Sequence, residues 1–68
     1  MNNPIKLKDL KRGEIFTKRP TQDPSDNQVW IRGFYSRSLK KIECTRWADI
    51  NDTQFIDPNK EVYVDFIF

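Results

Sequence analysis

Apolar and polar residues alternate along several short stretches of this chain, which is the pattern of half-buried β-strands. Three stretches show it most clearly: residues 14–19 (EIFTKR), 28–35 (QVWIRGFY) and 40–47 (KKIECTRW). Residues 61–68 (EVYVDFIF) repeat the alternation at the end of the sequence, and residues 53–56 (TQFI) are long enough for one more short strand. The pattern therefore predicts five strands.

Turn-forming residues lie between these stretches. Residues 20–28 (PTQDPSDNQ) are too polar and too rich in proline for a strand, and residues 57–60 (DPNK) form a turn. Ahead of the first strand, Leu7 and Leu10 have helical spacing and Gly13 follows them, which predicts one short helical turn. Short strands separated by turns are typical of a small antiparallel barrel. We therefore expect an all-β fold, a five-stranded SH3-like or OB-like barrel, in a single domain over residues 1–68.

Two positions interrupt the alternation. Gly33 lies inside the second predicted strand, where a glycine indicates a bulge or a tight bend. Trp47 follows Arg46 and breaks the alternation of the third strand, so a second bulge is expected there.

The size of the chain limits how it can be stabilised. A chain of 68 residues buries only about 60% of its unfolded surface, and such domains usually need reinforcement. There is one cysteine and no histidine, so an internal disulfide and a Cys/His zinc site are both excluded. Good packing or a partner chain is left, and no cofactor is expected.

Catalytic chemistry is poorly represented. Without histidine there is no Ser–His or Cys–His pair, and Cys44 lies mid-strand among apolar residues, where a buried thiol is expected. Asp49, Asn51 and Asp52 resemble part of a calcium loop but lack its central glycine and final acid, so a turn is favoured. We expect that the protein is not an enzyme.

The sequence also carries information about location. No apolar run approaches the roughly 20 residues that cross a bilayer. The opening MNNPIKLKDLKR has no apolar segment typical of a secretory signal, and a lone thiol fits a reducing compartment. A cytoplasmic protein without membrane contact is expected.

Three motifs carry a family resemblance: the opening IKLKDLKRGEIF, the central RGFYSRSLKKIECTRWADIN and the closing EVYVDFIF. They resemble a group of small uncharacterised β-barrel proteins of gut Bacteroidetes and their phages and mobile elements. The opening matches the group's LxDLxxGxxF start, and the centre matches RGxYxRSxKKxxC. The resemblance implies a small cytoplasmic β protein of phage or mobile-element type, and it carries no catalytic residue.

Charge is distributed unevenly along the chain. The net charge is only +2, but residues 1–47 hold 11 basic and 5 acidic residues, a balance of +6. Residues 48–68 hold Lys60 against five acidic residues, a balance of −4. A chain of this kind can bind a polyanion, pair head to tail with itself, or mix its charges once folded.

The candidate binding surface is the stretch VWIRGFYSRSLKK, residues 29–41, together with Arg46 on the neighbouring strand. Alternation places Trp30, Arg32 and Phe34 on one face. Because an inward Arg32 would be costly, we expect this face outward and Val29, Ile31 and Tyr35 inward. An exposed aromatic row usually marks a partner site. The candidate site residues are Trp30, Arg32, Phe34, Arg37, Lys40, Lys41 and Arg46.

Three interpretations of this surface compete. Tryptophan, tyrosine and arginine are enriched at protein interfaces, and a homodimer would also shelter the apolar end of the chain. Aromatic and basic residues together also suit nucleic acid, by stacking on bases and contacting phosphates. In a barrel this small, Trp30 and Phe34 can also be core. Because +2 is modest for a nucleic-acid binder, we favour an accessory or inhibitor protein that binds a protein partner or itself, with nucleic-acid binding through residues 29–46 as the alternative.

Overall fold

The computed structural model describes residues 4–67, which form six short strands and two single turns of 3₁₀-helix. The 3₁₀ turns cover Leu7–Asp9 and Asp26–Gln28. The strands are β1 (Ile5–Lys6), β2 (Ile15–Thr17), β3 (Val29–Ser36), β4 (Lys41–Arg46), β5 (Asp49–Ile56) and β6 (Glu61–Val62). Among residues 4–67, no helix is long and apolar enough to span a membrane.

The strands form two antiparallel sheets. The larger sheet has the order β2-β3-β4-β5, and the smaller one pairs β1 with β6. A single residue pair joins them: Thr17 and Tyr63 exchange backbone hydrogen bonds of 2.8 and 2.9 Å. The all-β prediction is confirmed. The chain has six strands rather than five, however, and the two sheets do not close into a barrel.

The N-terminal helical turn lies where the leucine spacing predicts it. Leu7 and Leu10 are both buried, and Gly13 has a φ of 94°, in the region that favours glycine. The turn is held to the connection between β5 and β6 because the Leu7 and Lys8 amides donate to the carbonyls of Lys60 and Pro58. Strand β1, which immediately precedes the turn, was not predicted because two residues carry no periodicity.

The core lies on one face of the larger sheet. Directly paired residues of antiparallel strands point to the same side, and Phe16 pairs with Trp30 while Ile42 pairs with Ile56. The first 3₁₀ turn and β6 cover this face. The buried cluster consists of Leu7, Leu10, Phe16, Trp30, Ile42, Cys44, Ile56 and Val62.

The prediction that Trp30 faces outward is wrong. Its side chain is 3% exposed, because it pairs with Phe16 over the core. Of the three residues expected inward, Val29 is fully buried, Ile31 is half-buried and Tyr35 is exposed, while Phe34 is exposed as predicted. Arg32 can lie on the inner face because its side chain is only half-buried and its Nη1 donates a hydrogen bond to the Gly33 carbonyl. Its Nε is buried without a hydrogen-bond partner among the described residues.

Gly33 lies at a bulge, as predicted. The register between β3 and β4 shifts between Arg32 and Tyr35, so that Gly33 and Phe34 together oppose Glu43. A Cβ at Gly33 would lie 2.6 Å from the Glu43 carbonyl oxygen, so glycine is required for the strands to approach. The bulge predicted at Trp47 is not in the third strand: Trp47 lies in the turn between β4 and β5, and the β4–β5 register shift leaves the extra residues, 50–52, in β5.

The last two strands differ in length from the prediction. The strand predicted at 53–56 belongs to β5, which runs over eight residues, whereas the strand predicted at 61–68 ends at Val62. Beyond Val62 the chain leaves the small sheet to bond β2 at Tyr63, and the Ile67 amide donates to the Gln22 carbonyl. Phe68 lies outside the described residues.

Candidate functional site

The seven predicted site residues divide between two ends of the β3–β4 hairpin. Trp30 and Arg46 are direct cross-strand partners at one end. Phe34 lies four residues after Trp30 along β3, about 13 Å away at the usual rise per residue, near the other end of the hairpin. That hairpin tip carries Phe34, Arg37, Lys40 and Lys41, all exposed, while Arg32 lies between the two groups.

A pocket opens beside Trp30. It has a volume of about 260 Å³, and residues of β2, β3, β4 and the loop after β2 line it: Thr17, Lys18, Arg19, Thr21, Gln28, Trp30 and Arg46. Sequence reasoning missed Lys18 and Arg19. The alternation of β2 was the available signal, because Phe16 and Lys18 share a face and Phe16 pairs with Trp30.

Two cations of this pocket contact the same indole. The Lys18 Nζ lies 4.1 Å and the Arg46 Cζ 4.6 Å from the centroid of the Trp30 ring. Both distances are in the range of cation–π attraction. Arg46 is fixed further, because its Nε pairs with Asp52 Oδ2 at 2.6 Å and its Nη1 donates to the Asn27 carbonyl. Lys18 donates from Nζ to the Gln54 side-chain oxygen.

The charges of the pocket are incompletely balanced. Burial lowers the pKa of Lys18, and the neighbouring charges of Arg46 and then Lys60 lower it further. Its hydrogen-bond partner, Gln54, is neutral, and Asp52 is already paired with Arg46. The pocket therefore concentrates positive charge around a buried aromatic ring.

The hairpin tip is a second cationic region. Phe34 is 61% exposed, and the Arg12 Cζ lies 4.4 Å from the centroid of its ring. Arg37 and Lys41 are exposed and make no ion pair with another described residue. Lys40 has a φ of 55°, the left-handed conformation that closes the turn between β3 and β4.

The free edge of the larger sheet is the third notable surface. Strand β5 pairs with β4 on one side, and no described strand pairs with it on the other. It carries Ile50, which is 77% exposed, and Phe55, which is 44% exposed. Its acidic residues, Asp49 and Asp52, lie toward its beginning.

Cys44 behaves as a buried apolar residue. It is fully buried, and burial raises the pKa of its thiol to about 11. Within residues 4–67, no three side chains of the types that bind metals lie close enough together to hold an ion.

No protein-family model, curated protein or solved structure matches this chain. The resemblance to small phage and mobile-element β proteins therefore stays a prediction.

Proposed function

We propose that this chain is a non-enzymatic interaction module whose first partner is a second copy of itself, joined through β5. The single observation that carries the proposal is the number of apolar side chains left outside. Among the described residues, eight large hydrophobic side chains are exposed, nearly as many as the nine buried ones. Two of them, Ile50 and Phe55, lie on β5 beside its unpaired edge, where exposed apolar side chains favour pairing with another chain.

The edge of β5 favours a symmetric partner. A two-fold axis perpendicular to the sheet would pair two copies of β5 in antiparallel fashion, which is a self-complementary contact. This pairing brings the end that carries Ile50 in one copy beside the end that carries Phe55 in the other. Residues 53–56 of β5 pair regularly with β4, and their other edge has no strand beside it among the described residues.

Charge supports the same arrangement. Residues 29–46 hold five basic residues and Glu43, a balance of +4, and residues 47–67 hold Lys60 against five acidic residues, a balance of −4. Because Ile56 pairs with Ile42, the hairpin tip lies near the end of β5, and Asp49 lies at its beginning. Antiparallel pairing therefore places Asp49 of one copy toward the basic hairpin tip of the other.

The finer architecture that we propose is an SH3-like small barrel left open at one side. The Thr17–Tyr63 bridge, which places the end of the chain beside β2, supports it. So does the hydrogen bond from Lys18 to Gln54, because it connects the residue that follows β2 to β5, the outer strand on the other side of the larger sheet. We further propose a cytoplasmic location, which the single free thiol of Cys44 favours.

Sedimentation velocity over a range of concentrations tests the self-association. Thr53 is exposed at the middle of β5, so Thr53→Lys places two ammonium groups close to the two-fold axis and should prevent the pairing. Gln22→Lys adds the same charge at an exposed position in the loop after β2 and should leave the assembly unchanged. A wild-type protein that stays monomeric at every concentration, or a Thr53→Lys variant that associates like the wild type, would contradict the proposal.

Nucleic-acid binding is the second candidate function, and the hairpin tip favours it. Arg37, Lys40 and Lys41 are exposed at the same hairpin tip as the ring of Phe34, on which Arg12 lies, and such a tip can contact phosphates and stack on a base. Fluorescence anisotropy with labelled oligonucleotides tests it. Binding should weaken steeply with salt and be lost in Arg37→Glu/Lys41→Glu, and binding by Thr53→Lys should equal that of the wild type. Absence of binding at low salt would exclude this function.

A further inference from the structure

We propose that the pocket beside Trp30 is a binding site for a phosphate group, separate from the β5 surface. Three cationic side chains line it: Lys18, Arg19 and Arg46. With the Asp52 carboxylate that pairs with Arg46, the net charge around the cavity is about +2. Phosphate monoesters carry roughly this charge with opposite sign near neutral pH.

The geometry holds the cations in place before any ligand arrives. Arg46 is fixed by Asp52 and by the Asn27 carbonyl, and Lys18 is fixed by Gln54. Both also lie against the Trp30 ring. Donors held in this way lose little conformational entropy on binding, so more of the interaction energy appears as affinity.

A neutral donor completes the lining. The Gln28 side-chain oxygen accepts from the Ser25 amide at 2.9 Å as part of a capping box around the second 3₁₀ turn. This bond fixes the orientation of the amide group, so that its NH₂ remains as a donor. Arginine, lysine and amide N–H groups around one cavity match the several acceptor oxygens of a phosphate.

The lowered pKa of Lys18 fits the same interpretation. Its ammonium is partly buried close to Arg46 and Lys60, and its hydrogen-bond partner is neutral. A bound anion would favour the charged form, so binding should raise the pKa of Lys18 toward its ordinary value. For the same reason, binding should weaken at alkaline pH once Lys18 loses its proton.

The cavity volume also limits the ligand. About 260 Å³ accommodates a phosphate with part of an attached group, but not a whole oligonucleotide. The site therefore accepts inorganic phosphate or the phosphate of a nucleotide, and these two sources can be separated by experiment.

Two-dimensional ¹H–¹⁵N NMR of the full chain tests the proposal, with the Trp30 indole and the Arg46 side-chain N–H groups as reporters. Inorganic phosphate at constant ionic strength should give saturable shifts at both, and chloride should not. Arg19 is exposed, so Arg19→Gln should weaken binding about tenfold, as expected for the loss of a hydrogen bond to a charged group, without disturbing the fold. Arg37→Gln removes the same charge at the hairpin tip and is the matched control, with affinity equal to that of the wild type.

Adenosine monophosphate and adenosine distinguish the source of the phosphate. If the site accepts a nucleotide phosphate, the monophosphate shifts both reporters and adenosine does not. Three results would overturn the proposal: no saturable shift with either phosphate ligand at tens of millimolar, equal losses in Arg19→Gln and Arg37→Gln, or equal binding of adenosine and its monophosphate. Each of these three results reports on the pocket alone, so the test of the phosphate site does not depend on whether β5 forms a dimer.

Discussion

Trp30 is a core residue rather than the exposed contact that its place in the sequence suggested. Its aromatic ring made it a candidate contact, yet it is buried and supports the core while two cations rest on its ring. The sequence could not decide this, because alternation gives two faces without saying which one is inside. The prediction took an inward Arg32 to be too costly, but a half-buried guanidinium can donate a hydrogen bond to the Gly33 carbonyl of its own strand.

The burial of Trp30 determines how its variants must be interpreted. Trp30→Ala removes a large core side chain and both cation–π contacts, so the free energy of unfolding should fall by about 3–5 kcal/mol. Urea denaturation measures this directly. Trp47→Ala removes the same side chain at an exposed position and should cost much less. Equal losses in the two variants would contradict the placement of Trp30.

The buried thiol of Cys44 predicts a pH dependence. Its pKa is about 11 in the folded protein and near 9 in the unfolded chain. Between these values the unfolded thiol is ionised while the folded one keeps its proton, so ionisation favours unfolding and the free energy of unfolding falls as pH rises. Cys44→Ala lacks this contribution. Urea denaturation from pH 8 to about pH 11 should therefore show the free energy of unfolding of the wild type falling relative to that of Cys44→Ala as pH rises. A difference between the two proteins that stays constant over this range would contradict the burial of the thiol.

At the scale of strands, the regular elements were predictable and the connections between sheets were not. Alternation located β2, β3 and β4 to within one or two residues, because each has one buried face. It overestimated the last strand, because residues 63–67 have an alternating pattern but lie beyond the pairing with β1. It missed the pocket because Lys18 and Arg46 meet only once β2, β3 and β4 are assembled.

The bulge in β3 gives a prediction at the same scale. Gly33→Ala would push a methyl group against the Glu43 carbonyl, and the strands must separate to accommodate it. We expect a loss of about 1–3 kcal/mol in the free energy of unfolding, measured by urea denaturation. Gly13→Asn is the comparison, since no atom lies within 4 Å of its Cβ and asparagine tolerates a positive φ. If the Gly13 variant were the less stable of the two, the close approach at Gly33 would not be the limiting contact.

For the whole molecule, the central claim is that the protein leaves a functional edge open. A small core with one cysteine and no disulfide has little stability to spare, and a second copy would cover apolar side chains that the fold leaves outside. The charge asymmetry of the sequence persists only in part, because Asp52 near the beginning of β5 pairs with Arg46 beside Lys18 and Arg19, whereas the hairpin tip stays basic.

Hydrogen exchange of the backbone amides, followed as a function of protein concentration, tests this claim most directly. Antiparallel pairing of two β5 strands should protect the amides of residues 50–55 that point away from β4, and the protection should grow with concentration. Amides of the exposed residues 22–23, in the loop after β2, and 25–28, at the second 3₁₀ turn, provide the internal control and should not change. Exchange in β5 that is the same at every concentration would contradict the account.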